Sequence, residues 1–312
     1  MADISKPQFS IVLPTYNRRH CIEKSIASVL RQSLSDYELL IVDDGSTDGT
    51  GSWLIKTYPP NKYSQIQIFI LPENQGPAKA RNVAIKSARG QWIAFIDSDD
   101  EWNLTFLEEH LRALQKHENA AMSACDAIAS QLDNPDQAIH AESKVWSIYP
   151  NATHHMLMSS MIWSTSLVVI NRHCLLKAGC FNEDLSMCED RELYLRVLQL
   201  GEYIHVSKTL VQKNQAADSL TRNLRLYARE AIRTVDFFLD SPGGEPYRHL
   251  RKVAKSRWCM TVARMLQERR QDFWFAGFMV AQAIYYSPDL VGQAIQRRWK
   301  NRISDKSPLP KI

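Results

Sequence analysis

The first third of the chain alternates short apolar runs with amphipathic segments, and this alternation is its most constraining feature. The runs "FSIVLP" and "ELLIVD", at residues 9–14 and 38–43, are apolar on both faces, as strands buried in a parallel sheet are. Apolar residues recur at helical spacing between them, and strand and helix patterns continue to alternate as far as residue 117. Such alternation builds a parallel sheet with helices on both faces, so the predicted fold class is α/β.

The rest of the chain divides into a less regular middle and a helical end. Residues 131–160 are polar and aromatic without a clear period, and we interpret them as a long loop with an edge hairpin. From about residue 219 the pattern is helical throughout. The predicted domains are residues 1–218, with halves at 9–115 and 116–218, and a helical C-terminal region at 219–312.

Polar clusters follow four of the predicted strands. They read "PTYN" (14–17), "DDGSTDGT" (43–50), "ENQGPAKARN" (73–82) and "DSDDEW" (97–102). Each alone is typical of a turn or a helix cap. Ligands of open parallel sheets bind beyond the carboxyl ends of the strands, so four clusters at one edge predict a binding site there.

The phosphate-binding motifs of nucleotide proteins are absent from the sequence. No GxGxxG opens a helix after the first strand, and no GxxxxGK[ST] occurs anywhere. A bound diphosphate would therefore need another source of positive charge. Asp97 and Asp99 are alternate carboxylates of the kind that hold Mg²⁺ or Mn²⁺ through oxygen, and such an ion could bridge a diphosphate. Asp100 and Glu101 are interpreted as cap and supporting residues of the following helix.

These motifs, in this order, resemble the nucleotide-binding half of the family 2 glycosyltransferases. The resemblance lies in "SIVLPTYNR", "YELLIVDDGSTDGT", "NQGPAKARNVAI" and "WIAFIDSDD" within residues 9–110. It continues in "AGCFNEDLSMCEDRELYLRV" at 178–197, where Cys180 separates the family's Gly-Phe pair. The resemblance implies a GT-A fold, which is Rossmann-like with a mostly parallel central sheet flanked by helices. It also implies an inverting transfer from a nucleotide-diphosphate sugar, with a UDP-sugar expected before GDP- or dTDP-sugars.

The resemblance also implies roles for individual residues. Asp190 would be the catalytic base with Glu189 beside it, and Asp99 the principal metal ligand with Asp97 near the ribose and the metal. Mn²⁺ or Mg²⁺ would be the cofactor. The acceptor would be a glycan or a lipid-linked glycan of cell-surface polysaccharide synthesis. The residues expected to bind the nucleotide sugar are Pro14, Thr15, Tyr16, Asn17, Asp43, Asp44, Arg81, Asp97 and Ser98.

Several alternatives remain open at this stage. Glu189 and Asp190 would also serve as simple helix-capping acids. A nucleotidyltransferase would need a glycine-rich loop after the first strand, which "PTYNRR" lacks, and a non-catalytic binding or scaffold protein could keep the same sheet. Many relatives carry a histidine soon after the strand near residue 207. Residues 210–222 contain none, so Lys213 or Arg222 is expected to meet the diphosphate.

Charge is distributed unevenly along the chain. Residues 219–312 carry 18 Lys and Arg against 8 Asp and Glu, a net charge of +10, so the first 218 residues carry −6 of the overall +4. A basic helical end suggests either solvated charges or contact with an anionic membrane surface. No nucleic-acid module is recognisable, so nucleic acid is not an expected partner. Without a signal sequence or an apolar run long enough to span a bilayer, the expected location is cytoplasmic, with a peripheral position at the inner face of the membrane left open.

Overall fold

The computed structural model describes residues 6–131, 134–141, 151–159, 161–214, 223–294 and 296. Within them the chain forms two compact units. The first takes the chain to residue 156 and again from 160 to 222, and the second takes 157–159 and the chain from 223 onward. The first unit contains the sheet, and the second is helical.

The first half of the sheet unit has the alternation that the sequence predicts. Its elements are β1 (Phe9–Thr15), α1 (Ile22–Leu30), β2 (Tyr37–Asp43), α2 (Thr50–Thr57), β3 (Ile66–Ile70), α3 (Pro77–Ser87) and β4 (Trp92–Phe95). The four strands are parallel and lie in the order β3-β2-β1-β4. Ile11, Val12 and Leu13 are fully buried because helices cover both faces of the central strand. The predicted α/β class is confirmed.

The second half extends the same sheet with strands of both directions. Its elements are β5 (Glu101–Trp102), α4 (Phe106–Leu114), β6 (Ala120–Gln131), β7 (Asn134–Ala141), α5 (Ala152–Met158), β8 (Val168–Asn171), α6 (Arg172–Lys177), α7 (Glu189–Val197) and β9 (Glu202–Asn214). From β4 the order continues β8-β6-β9-β5, with β7 paired on β6. Residues 134–141 of the predicted loop form β7, which pairs antiparallel with β6, so the hairpin begins before the segment in which it was expected. Helix α5 was not expected, and residues 132–133, 142–150 and 160 of the predicted loop lie outside the described residues.

Strand β9 is longer than the sequence indicates. The sequence places a strand near residue 207, but pairing continues to Asn214, first along β6 and then also against β5. The register with β6 shifts around Asp126, where the partner changes from Val206 to Thr209. This irregularity breaks the apolar alternation in the sequence and hides the continuation. Its consequence is that Lys213 and Asn214 reach the acidic turn after β4.

The second unit is a set of helices around its own core. It contains α8 (Leu224–Asp240), a 3₁₀ segment (Pro242–Leu250), α9 (Arg251–Glu268) and α10 (Phe273–Tyr286). The indole N–H of Trp258 donates to the carbonyl of Leu157 at 2.9 Å, which ties in the short 157–159 segment. No helix among the described residues is both long enough and apolar enough to cross a bilayer. The buried side chains of this core include Leu224, Cys259, Val262, Leu266, Met279 and Ala283.

Candidate functional site

The turns after β1, β2 and β3 are joined by hydrogen bonds at the carboxyl edge of the sheet. The amide N–H of Asp44 donates to the carbonyl of Thr15 at 2.8 Å. The Asp44 carboxylate accepts the amide N–H groups of Gln75 and Gly76, both at 2.8 Å. Asp44 is 3% exposed, so its charge is satisfied mainly by backbone donors from the next turn. The side chain therefore holds two of the predicted nucleotide-binding turns together.

A glycine makes this close approach of the two turns feasible. Gly45 has φ +71°, in the left-handed region, and a Cβ at this position would lie 2.5 Å from the backbone carbonyl carbon of Glu73. A side chain would therefore push the turn after β3 away from Asp44. Gln75 and Gly76 come shortly after Glu73 in the chain, so the absence of a side chain at Gly45 also preserves their hydrogen bonds to the Asp44 carboxylate.

Other predicted nucleotide-binding residues lie at the same edge. Pro14 and Thr15 end β1, and Tyr16 follows them with 41% of its surface exposed. The Asn17 side chain accepts the amide N–H of Thr47 at 2.8 Å, which links the first two turns again. Asp43 accepts hydrogen bonds from the amide and hydroxyl of Ser46, while burial raises the pKa of its carboxyl. Tyr16 therefore presents a partly exposed ring at this edge of the sheet, and such a ring suits an aromatic base as a partner.

Arg81 connects the two halves of the sheet unit. Its guanidinium, on α3, donates to Asp97 at 2.9 Å and to Glu189 at 2.7 Å. It also lies 3.3 Å from the hydroxyl of Thr165. The side chain is only 6% exposed, and although burial alone would lower its pKa, the two carboxylates raise it. One buried cation thus fixes the start of α7 beside the acidic turn after β4.

Asp97 is the member of the acidic turn that these contacts hold. Its carboxylate accepts from Arg81 and from the Thr165 hydroxyl at 3.0 Å, and its amide donates to Ser166 at 3.0 Å. Burial raises the pKa of this carboxyl, but Arg81 and Lys213 outweigh burial, so the net shift is downward. Asp97 is therefore an ionised, positioned carboxylate. Ser98, which follows it, is buried, with 7% of its surface exposed.

Asp100 is held by a second cation and does not cap α4 as the sequence suggested. It is fully buried and accepts from Ser166 at 2.6 Å and from the Lys213 ammonium at 3.1 Å. The amide of Asn214 donates to it at 3.3 Å. Burial raises the pKa of Asp100 to about 7 despite the lysine. The interpretation as a cap is wrong because β9 extends far enough to supply these partners.

Lys213 places its ammonium next to two carboxylates of the acidic turn. Its ammonium is 3.2 Å from the Ser164 hydroxyl and 3.8 Å from the second carboxylate oxygen of Asp97. Burial alone would lower its pKa, but Asp100 and Asp97 raise it, so the side chain stays charged. Lys213 therefore supplies a fixed positive charge at the place where the sequence lacks a histidine.

Asp99 is the carboxylate of the turn that is best suited to a divalent cation. It is partly exposed, and burial together with Asp97 raises its pKa, so a nearby cation would favour the ionised form. Among the residues that the structure describes, no three His, Cys, Asp or Glu side chains are grouped to hold a metal ion. The residues thus fit an ion that takes one protein carboxylate and completes its coordination with phosphate and water, as Mg²⁺ often does.

Asp190 lies in the first turn of α7, next to the residue that Arg81 holds. Its carboxylate accepts the amide N–H of Arg191 at 2.7 Å. Burial raises the pKa of Asp190 more than this bond and Arg81 lower it. Burial likewise raises the pKa of Glu189, against the opposing charge of Arg81. Asp190 is partly exposed, and an accessible carboxyl with a raised pKa has the property required of a general base.

Four side chains of this site were not recognised as a group from the sequence. Ser164, Thr165 and Ser166 precede β8 and contact the acidic turn, and Asn214 donates to the carbonyl of Asp99 at 3.0 Å. The run "STS" directly before an apolar strand was the available sign. The structure brings it to the acidic turn because β8 pairs beside β4 in the antiparallel direction.

Comparison with known proteins identifies relatives of the first part of the chain. Residues 10–165 match the family described as glycosyl transferase family 2. TuaG of Bacillus subtilis (strain 168), whose name places it in teichuronic acid biosynthesis, is 39% identical over 137 residues, or 44% of this chain and 54% of TuaG. The UDP-Glc:alpha-D-GlcNAc-diphosphoundecaprenol beta-1,3-glucosyltransferase WfgD of Escherichia coli is 40% identical over 108 residues, or 35% of this chain and 41% of WfgD. The match to these relatives therefore spans about half of their length or less.

Solved structures share the fold at low sequence identity. TarS 1-349 of S. aureus in complex with UDP-GlcNAc superposes with a TM-score of 0.65 at 19% identity, covering 81% of this chain and 72% of that one. The mannosyltransferase PcManGT of Pyrobaculum calidifontis, in complex with GDP-Man and Mn²⁺, gives a TM-score of 0.57 at 17% identity, covering 97% and 89%. These similarities establish the GT-A fold that the sequence resemblance implied.

Proposed function

The chain belongs to glycosyl transferase family 2, and on this premise we propose that it transfers a sugar from a nucleotide diphosphate to an acceptor hydroxyl with inversion of configuration. The observation that carries the proposal is the buried Arg81, which joins Asp97 at the donor side to Glu189 at the start of α7. We assign the catalytic domain to residues 1–218. A UDP-sugar is the proposed donor, supported by the UDP-GlcNAc bound to TarS and the UDP-Glc in the name of WfgD.

The proposed donor site uses the joined turns at the carboxyl edge of the sheet. Tyr16 offers an exposed ring for the base, while Asp44 fixes the turns on either side. Asp97 is assigned to the ribose and the metal side of the donor. The other residues assigned to the nucleotide sugar are Pro14, Thr15, Asn17, Asp43, Arg81 and Ser98.

The proposed reaction is a single displacement at the anomeric carbon. Asp190 accepts the proton of the acceptor hydroxyl while that oxygen forms a bond to the anomeric carbon. The bond from this carbon to the diphosphate breaks on the opposite face, and the electron pair leaves with the diphosphate. A base within hydrogen-bond reach contributes about two to four orders of magnitude to the rate. Glu189 is assigned to holding the start of α7 against Arg81, and so to positioning Asp190.

Positive charge at the diphosphate would come from two sources. Asp99 is assigned to a Mn²⁺ or Mg²⁺ ion, with Asp97 as its neighbour, and PcManGT with its bound Mn²⁺ supports this choice. When bound, such an ion stabilises negative charge on the departing diphosphate. Lys213 adds a fixed ammonium beside Asp97 and Asp100 of the acidic turn.

The proposed acceptor is a glycan or a lipid-linked glycan in cell-surface polysaccharide synthesis. The names of TuaG and WfgD, one for a polysaccharide pathway and one for a diphosphoundecaprenol acceptor, support this class. An acceptor of this kind would bring the enzyme to the inner face of the cell membrane. We therefore assign the basic C-terminal region to a peripheral position there, with the catalytic unit in the cytoplasm.

The test compares donor binding with transfer in two variants. In Asp190→Asn we expect the thermal shift caused by UDP-sugar and Mn²⁺ to persist, while transfer falls by about two to four orders of magnitude. Asp184→Asn is the matched control, because Asp184 is an exposed acid in the same segment and should leave both unchanged. Transfer at the wild-type rate in Asp190→Asn would refute the assignment of the base. Donor binding without transfer in the wild type, across a panel of acceptors, would favour the binding-protein alternative.

A further inference from the structure

Helix α10 of the second unit exposes an apolar stripe to solvent. Along α10 (Phe273–Tyr286) the exposed fractions are 67% for Phe273, 92% for Trp274, 53% for Phe278 and 83% for Tyr285. Ile284, 46% exposed, lies beside them. Large aromatic side chains with most of their surface in water are unusual when they occur as a group, and such patches mark interaction sites.

The stripe is continuous because its members recur at helical spacing. Positions 273, 274, 277, 278, 281, 284 and 285 are exposed and contain only aromatic residues, glycine, alanine and isoleucine. The opposite face, with Met279 and Ala283, is buried in the core of the second unit. The helix has no charged residue, and Gln282 is its only side chain with an amide. A helix that is apolar all round is expected to be covered on both faces.

Positive charge borders the stripe. An open groove of about 490 Å³ runs between α9 and α10, and Arg264 lines it together with Phe273 and Gly277. Arg264 is exposed, as are Lys252 and Arg257 on the same helix α9. The region from residue 219 has a net charge of +10. An apolar, aromatic surface with Arg264 at its edge, in a region of net positive charge, matches the interfacial layer of an anionic bilayer, where Trp and Tyr rings are favoured.

A second copy of the chain is a weaker explanation for the stripe. Two copies that met through this stripe would bring together two regions of net charge +10, and like charges across an interface are unfavourable. An anionic lipid surface carries the opposite charge, and each inserted aromatic ring adds to binding on its own.

We propose that the α10 stripe is a membrane-contact surface, which inserts Trp274, Phe278 and Tyr285 into the interfacial layer of an anionic bilayer. This inference specifies which surface would hold the enzyme in the peripheral position assigned above. It rests on the proposed function only for the reason that the enzyme would bind a membrane. It differs from attachment by charge alone, because apolar insertion survives salt that screens the basic residues.

The experiment is flotation of the full chain with lipid vesicles, without donor or acceptor. Vesicles of phosphatidylcholine with phosphatidylglycerol are compared with phosphatidylcholine alone, at low and high salt. In Trp274→Ser/Tyr285→Ser we expect the partition onto anionic vesicles to fall on the order of tenfold or more. Ile55→Ser/Leu104→Ser is the control, because both residues are more than half exposed but lie in the first unit. It should bind as the wild type does.

Further outcomes decide between the explanations. High salt should weaken wild-type binding without abolishing it, and brominated lipid should quench the fluorescence of the wild type more than that of Trp274→Phe. Equal flotation of the double variant and the wild type would overturn the proposal, as would binding that high salt abolishes. If the wild type does not float with any of the vesicles and instead forms a dimer through Trp274, the stripe is a contact with a second copy of the chain. The double variant should keep its donor-induced thermal shift, so failure here is distinguishable from failure of the transferase assignment.

Discussion

Replacing Arg81 by methionine removes the cation that joins the two halves of the sheet unit. Methionine has a similar length and keeps the contact with the ring of Phe181, which the guanidinium now faces at 5.4 Å. The substitution leaves Glu189 and Asp97 without their shared partner. Both carboxyls are largely shielded from water, at 10% and 26% side-chain exposure, so the lost charge is not replaced by solvent.

The magnitude follows from the burial of this pair of contacts. Removing one partner of a buried ion pair costs about 3–5 kcal/mol of unfolding free energy. Asp97 and Glu189 would each respond by taking up a proton more readily, which places Arg81→Met at the lower end, about 3 kcal/mol. For a unit of roughly 200 residues this corresponds to a fall in Tm of about 6–12 °C. Arg112→Met is the control, because the Arg112 side chain is 53% exposed in its pairs with Glu108 and Glu109, and its loss should cost less than about 1 kcal/mol.

A double-mutant cycle shows whether the cost arises from Glu189. In the wild type, Glu189→Gln breaks a charge-assisted hydrogen bond and should destabilise the protein. In the Arg81→Met background the same change removes an unpaired buried charge and should be neutral or stabilising, giving a coupling energy of about 1–3 kcal/mol in thermal or urea unfolding. Equal effects of Glu189→Gln in both backgrounds, or an unchanged Tm in Arg81→Met, would refute the reasoning.

Two further predictions concern the donor turns and acid stability. Gly45→Ala should lower the unfolding free energy by about 1–2 kcal/mol, because Gly45 has a positive φ. It should also weaken UDP binding, because the new Cβ displaces Glu73. Gly49→Ala, which has open space around it, should show only the cost of the positive φ. His110 is fully buried against Ser123 and near His205, and burial lowers its pKa to about 3. Its folded pKa is below the unfolded value of about 6.5, so its contribution to stability is retained above pH 6.5 and lost as pH falls, by roughly 2 kcal/mol of unfolding free energy between pH 6.5 and 4.5. The difference in unfolding free energy between the wild type and His110→Gln, measured with urea across this pH range, should become smaller toward low pH. A constant difference would contradict the lowered pKa of His110.

The first four strands could be predicted from the sequence because their information is local. Buried parallel strands such as "FSIVLP" and "ELLIVD" are apolar on both faces, and the helices between them have a clear period. The polar turns after these strands could also be located, since parallel strands bring their carboxyl ends to one edge. These turns contain Asp44, Asp97 and Arg81, and the roles of Asp44 and Arg81 came from the family resemblance, while the partners of all three were not predicted.

The missing partners come from strand pairings that no local pattern contains. Lys213 and Asn214 reach the acidic turn only because β9 continues past an irregular register with β6. Thr165 and Ser166 reach it because β8 is inserted antiparallel beside β4. Contacts between residues about 70 to 110 positions apart depend on topology, so the charges around each acid could not be assigned before the sheet was known.

The crowded acids after β4 are tolerated because each has a different environment. Asp97 is held by Arg81, and Asp100 is held by Lys213, Ser166 and the amide of Asn214. Arg81 and Lys213 therefore offset the repulsion between these two carboxylates. Asp99 remains partly exposed, with a pKa that burial and Asp97 raise. Of the three, Asp99 is the carboxylate whose ionised form an added cation would stabilise most. The metal is therefore assigned to Asp99, since Asp97 and Asp100 already have cationic partners. One oxygen of Asp97 is less available to a metal ion than its place in the motif suggests, because Arg81 and the Thr165 hydroxyl both donate to it.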